Sequence, residues 1–144
     1  MAGERFFSEE SLKSRISVAE DAVNVLEKLT TIAEDELLSN FINMYAIKGA
    51  FLIFLQAILD IANYIIAERE FGVPTSYENL LDILIDYKII DSERRDDMEK
   101  LLKIREKILH SSEIMSSKLL IKTIKENLSF FKELLNILRT ELFR

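Results

Sequence analysis

The chain has 144 residues, 49% of them apolar, and a net charge of −6. That length fits a single domain, residues 1–144, with enough apolar mass for a real core. The absence of cysteine excludes disulfides and thiolate metal sites, a lone histidine leaves little for zinc, and the acidic balance argues against a general nucleic-acid binder.

Three glycines and one proline leave few breakers, which predicts helices in place of many short strands. The start, MAGERFFSEESLKSR, carries charges where a signal peptide needs an apolar run. The first helix is expected from about Ser8 to Leu29, with Ile16, Ala19, Val23, Leu26 and Leu29 on one face. A long second helix is expected from about Asp35 to Glu70. Its most apolar part, GAFLIFLQAILDIANYIIA (49–67), is edged by Lys48 and interrupted by Gln56, Asp60 and Asn63. Charge at that depth in lipid is costly, so the stretch reads as a core helix and not a membrane span. The three polar residues read first as an exposed stripe; alternatively Asp60 holds a cation from a neighbouring helix.

FGVPT (71–75) is the strongest break, and Thr75 with Glu78 has the spacing of a capping box opening a short helix over 76–88. Asp91 or Ser92 caps a fourth helix running to about His110. The fifth covers about 117–142, with Leu120, Ile124, Leu128, Phe131, Leu135, Leu138 and Leu142 at spacings of three and four. Phe51, Phe54, Phe130 and Phe131 read as core, and Tyr64 and Tyr77 as packing residues with a polar tip. The predicted architecture is all-α: an antiparallel up-and-down bundle of about five helices.

Residues 1–90 hold 7 of the 19 Lys and Arg and 15 of the 25 Asp and Glu, so the acidity lies in the first part of the chain. A locally basic stretch begins near position 100 and includes Lys103, Lys107, Lys118, Lys122 and Lys125. Such a row is usually a solvated face. It can also follow a nucleic-acid backbone, with binding that weakens in salt.

Within that stretch stands KIREKILHSS (103–112). Arg105 falls amid Met98, Leu101, Leu102 and Leu109, an apolar stripe. A guanidinium keeps its charge, so burying it requires a partner or an anion, and Asp60 is one candidate. His110 lies about 140° around an ideal helix from Arg105. The two can meet only if the helix loosens near Ser111-Ser112 or if two chains build the site. Glu106 and Glu113 would flank an exposed imidazole, the bland alternative. Metal-free cleavage of RNA needs a group that moves a proton from the ribose 2′-OH and a fixed cation for the phosphate. His and Arg suit those roles.

The stretches LQAILDIANYIIAEREFGVPTSYENLLDIL (55–84) and LLKIREKILH (101–110), in that order and spacing, resemble the HepT-like branch of the HEPN superfamily. Its motif, an Arg followed after four to six residues by a His, is met by Arg105 and His110. The resemblance implies a HEPN-like bundle forming a homodimer in the cytoplasm, and a metal-independent endoribonuclease toxin without a cofactor. It implies that Arg105 and His110 are catalytic in a cleft at the dimer interface. The residues around that pair, read on their own, offer Asp60 and Glu106 as supporting groups and Lys103, Lys107, Lys118 and Lys122 as RNA contacts. It further implies an MNT-type nucleotidyltransferase antitoxin as partner. Two positions depart from the family pattern. Glu106 replaces an Asn or other small polar residue, and Ser112 stands where the family has a tyrosine that receives AMP, so any modification would have to use a serine hydroxyl. Those departures favour a second possibility: a non-catalytic dimeric module that regulates a nucleotidyltransferase or binds nucleotide.

Overall fold

The computed structural model describes residues 9–110 and 116–144. These form six α-helices: α1 Glu9–Leu29, α2 Glu34–Ser39, α3 Phe41–Glu68, α4 Tyr77–Asp86, α5 Arg95–Leu109 and α6 Ser117–Leu142. A 3-10 turn, Ser92–Arg94, leads into α5. The architecture is the expected all-α bundle.

The expected second helix is two helices. Asn40 adopts an extended conformation, and its side chain accepts hydrogen bonds from the backbone amides of Ile42 and Asn43, at 3.0 and 3.2 Å. A side-chain cap of this kind contributes about 1 kcal/mol. The apolar run on both sides masks that signal in the sequence. The core helix α3 meets the length and composition of a membrane span, yet 61% of its most apolar window is buried within the bundle.

α1 and α6 flank α3. Phe131 of α6 packs against Phe54 and Phe51 of α3, with ring centroids 4.9 and 6.2 Å apart. All three rings are fully buried. Burying such a side chain contributes roughly 1.5–3 kcal/mol, so this cluster is a main source of stability. Ion pairs show the helix directions. Glu20 meets Arg139 and Glu27 meets Lys132, so α1 runs antiparallel to α6. Arg69 at the end of α3 reaches Glu141 at the end of α6, at 2.7 Å, so those two helices run in the same sense. The predicted stripes of α1 and α6 are buried, except that Leu29, Leu128 and Leu142 are only partly so.

The turn after α3 closes earlier than the Gly-Pro break predicts. Glu70 takes a left-handed conformation (φ 55°), the amide of Phe71 donates to Ile66 O, and that of Glu70 donates to Ala67 O. This is the Schellman pattern without its usual glycine. Lys88 (φ 58°) repeats it after α4, where Ile89 donates to Leu84 O and Lys88 to Ile85 O. The cap of α4 is shifted by one residue from the expected Thr75–Glu78 pair. Ser76 Oγ accepts from the Asn79 amide, and Asn79 Oδ1 accepts from the Thr75 amide, both at 3.0 Å. Asp91 caps the 3-10 turn by accepting from the Glu93 amide. Arg95 ties α5 to Asp82 of α4, and that hydrogen bond is the main cause of a raised Arg95 pKa.

Candidate functional site

Arg105 projects from α5 into a niche made by two other helices. Its side chain is only 14% exposed. The guanidinium lies over the Tyr77 ring, 5.1 Å from the centroid. Nη2 donates to Gln56 Oε1 of α3 at 3.3 Å, and Nη1 lies 3.0 Å from Glu106 Oε1. Ring, amide oxygen and carboxylate each accept a cation, which is how the charge sits among apolar neighbours. The apolar stripe around it differs in one member from expectation. Ile104 is buried and Leu109 is exposed, because the helix ends there. Arg105 therefore marks the edge of the stripe.

Asp60 does not touch Arg105 directly, contrary to the simplest expectation. Asp60 Oδ2 pairs with Arg15 of α1 at 3.1 Å, and Oδ1 accepts from Gln56 Nε2 at 2.9 Å. Gln56 thus stands between Asp60 and Arg105. Nor do Gln56 and Asp60 belong to an exposed stripe; both are partly buried, and Asn63 alone of the three is exposed.

His110 caps the C-terminus of α5 and leaves the helical path (φ −124°, ψ 42°). Its side chain is 70% exposed, and Nε2 lies 3.6 Å from Glu106 Oε2. Glu106 therefore faces Arg105 with one carboxylate oxygen and His110 with the other. The angular gap between Arg and His is bridged by a long acidic side chain located between them in sequence. Ser112, like Ser111 and Glu113, lies outside the described residues.

The lysines divide into two groups. Lys103 and Lys107 are exposed, but each stands about 160° around α5 from Arg105 and so on the far side of the helix. Lys118, Lys122 and Lys125 of α6 line a shallow depression of about 440 Å³ together with Leu119, Ile121 and Glu126 and with Glu34 of α2. Lys122 lies 3.8 Å from Glu126.

Residues 19–138 match the family described as ribonuclease HepT-like. The chain belongs to the HepT-like family. A HepT-like relative, the mRNA nuclease HepT of Shewanella oneidensis (strain MR-1), is 21% identical over 86 residues, which is 60% of this chain and 65% of that protein. The alignment thus spans less than two thirds of the relative. Among solved structures, the tri-AMPylated Shewanella oneidensis HEPN toxin in complex with MNT antitoxin superposes with a TM-score of 0.82 at 15% identity, covering 90% of this chain and 96% of the other. A toxin–antitoxin structure with AMP-PNP gives 0.77 at 16% identity, covering 88% and 96%. YutE of Bacillus subtilis, a cytosolic protein of unknown function, gives 0.80 at 20% identity, covering 96% and 92%. These likenesses establish the HepT-like fold.

Two side chains near Arg105 were not marked as functional by sequence reasoning. Gln56 read as part of a solvated stripe, and Tyr77 as packing. A signal for both existed: each lies in the family-like stretch 55–84, at a position where an apolar residue would have served a plain core better.

Proposed function

We propose that this chain is a metal-independent endoribonuclease toxin of the HepT/MNT type, residing in the cytosol as a single domain of residues 1–144. The observation that carries the proposal is the Glu106 carboxylate, an anion within 3.0 Å of Arg105 and 3.6 Å of His110. A phosphate can replace that carboxylate on Arg105 and lie beside His110, while Glu106 keeps its contact with the imidazole. His110 takes the proton of a ribose 2′-OH, and the freed oxygen attacks phosphorus and expels the 5′-oxygen, which takes a proton from water or from a second, protonated His110. Arg105 stabilises the charge on the phosphoryl oxygens as it builds. Asp60 supports the site at one remove and Glu106 steadies the imidazole. Lys118 and Lys122 guide the RNA toward the site, and Lys103 and Lys107 contact it on the flank of α5 away from Arg105. Ser112 is the residue available for modification.

One His per chain supplies one proton-moving group, and the exposed face of α3 offers a way to bring a second. By helical spacing Ile42, Tyr45, Gly49, Ile53, Gln56 and Asp60 share one face. Ile42, Tyr45 and Ile53 are exposed, and nothing lies within 4 Å of where a Gly49 side chain would begin. This apolar strip, continuous with the Arg105 niche, supports a homodimer with the two sites in a shared cleft. An MNT-type nucleotidyltransferase is the proposed antitoxin.

The test is cleavage of a mixed RNA pool in EDTA by the wild type, His110→Ala and Arg105→Ala. Cutting by the wild type alone is expected. Equal cutting by either variant overturns the assignment. The same Glu106 contact favours one other function, a non-catalytic module that binds a nucleotidyltransferase; absence of cutting by the wild type together with capture of that partner would establish it.

A further inference from the structure

Donors and acceptors alternate along a line of side chains that crosses from α1 to α5. Arg15 Nη1 meets Asp60 Oδ2 at 3.1 Å, Gln56 Nε2 donates to Asp60 Oδ1 at 2.9 Å, and Gln56 Oε1 accepts from Arg105 Nη2 at 3.3 Å. Only one orientation of the Gln56 amide satisfies this line. An ionised carboxylate can only accept and a guanidinium can only donate. The amide NH2 must therefore face Asp60 and its oxygen must face Arg105; the flipped amide would set donor against donor and acceptor against acceptor. Asp60, 18% exposed, aims Gln56 while itself staying clear of Arg105.

The neutrality of the amide matters. A carboxylate held against Arg105 would orient the guanidinium and also neutralise it. The Gln56 oxygen orients it and leaves the full positive charge. Glu106 does offset that charge, but its side chain is 57% exposed and can turn into water, where such a pair is worth little. The Tyr77 ring supports the guanidinium plane from another side without adding charge.

We propose that Gln56 is the positioning residue of Arg105, aimed by Asp60 and Arg15, so that the guanidinium keeps a fixed orientation toward an RNA phosphate without Gln56 itself neutralising its charge. This rests on the assignment of Arg105 to phosphate binding.

Two measurements on the full chain separate the relay from that assignment. The first is rotation of the Arg105 guanidinium about its Nε–Cζ bond by NMR at low temperature, its signals identified by their loss in Arg105→Ala. Gln56→Leu is expected to speed the rotation several-fold, and Asp60→Asn to speed it less. Asp60→Asn is expected to add nothing once Gln56 is Leu, since Asp60 acts through Gln56. Gln56→Glu keeps an acceptor toward Arg105 but sets a second carboxylate against Asp60, so rotation is expected to fall between the wild type and Gln56→Leu, with RNA binding weakened through lost charge. The second is cleavage, where Gln56→Leu lowers kcat roughly tenfold with KM changed less than about twofold, as expected for a misaligned group. Unchanged rotation in Gln56→Leu overturns the relay whatever the cleavage result. Additive effects of Gln56→Leu and Asp60→Asn overturn the role given to Asp60. A wild type that cuts no RNA overturns the nuclease assignment, and the rotation measurement still decides the relay.

Discussion

Arg105 and His110 are five residues apart and live in opposite surroundings. Arg105 is held by an aromatic ring from α4 and an amide from α3, with 14% of its side chain exposed. His110 stands at a helix end with 70% of its side chain exposed and Glu106 at 3.6 Å. Under the proposed function, the group that would meet phosphate is positioned within one chain, while the group that would move the proton stands open to a substrate or a second copy. A preorganised cation and an approachable base suit a reaction on a large, flexible polymer, whose entry a closed pocket would prevent.

Several experiments bear on that contrast. The largest effect is expected from His110→Ala, which should abolish cleavage while shifting stability by less than about 0.5 kcal/mol, because the side chain is exposed; a thermal melt alongside the RNA assay checks both. Ile53→Lys, on the exposed α3 face, should convert a dimer to a monomer in sedimentation and lower cleavage strongly; full activity in a proven monomer would show that one chain suffices. Tyr77→Leu removes the platform and keeps the bulk, and should lower kcat roughly fivefold, in line with about 1 kcal/mol for a cation over an aromatic ring. Glu106→Gln removes the competing anion and should tighten binding of a 2′-deoxy oligonucleotide a few-fold at low salt, with the gain shrinking as salt rises. The smallest effect belongs to Lys122→Ala, which should weaken binding slightly and reduce the salt slope by about one.

The sequence made some of this legible and hid the rest for physical reasons. The α1 and α6 stripes were readable because a helix buried along one side needs a 3.6-residue period, which the core positions Ile16, Ala19, Val23, Leu26, Leu120, Ile124, Phe131, Leu135 and Leu138 supply. The break at Asn40 was not, because apolar residues continue on both sides of it and only the side-chain cap reveals it. Glycine and proline drew attention to 72–74, whereas the chain turns at Glu70 and again at Lys88 with left-handed residues that carry side chains. Arg105 could be singled out because a charge amid apolar neighbours is costly. Its true contact could not, since Asp60 and Gln56 lie one turn apart on α3 and only geometry shows which one reaches across.

The turn 69–76 carries none of the proposed chemistry, yet it decides where Tyr77 sits. Gly72 has φ 133°, a conformation that side-chain-bearing residues rarely adopt, while an added Cβ would meet only Ile83 Cδ1 at 3.8 Å. Phe71 stacks face to face on Tyr87, with centroids 3.7 Å apart, so the two ends of α4 are fastened separately, one by Ser76 and one by that pair of rings. The cradle of the guanidinium is therefore specified at a distance, by the handedness and length of a loop. A lineage could detune the site there without altering any residue that meets the substrate, and a comparison restricted to the Arg and the His would register no change.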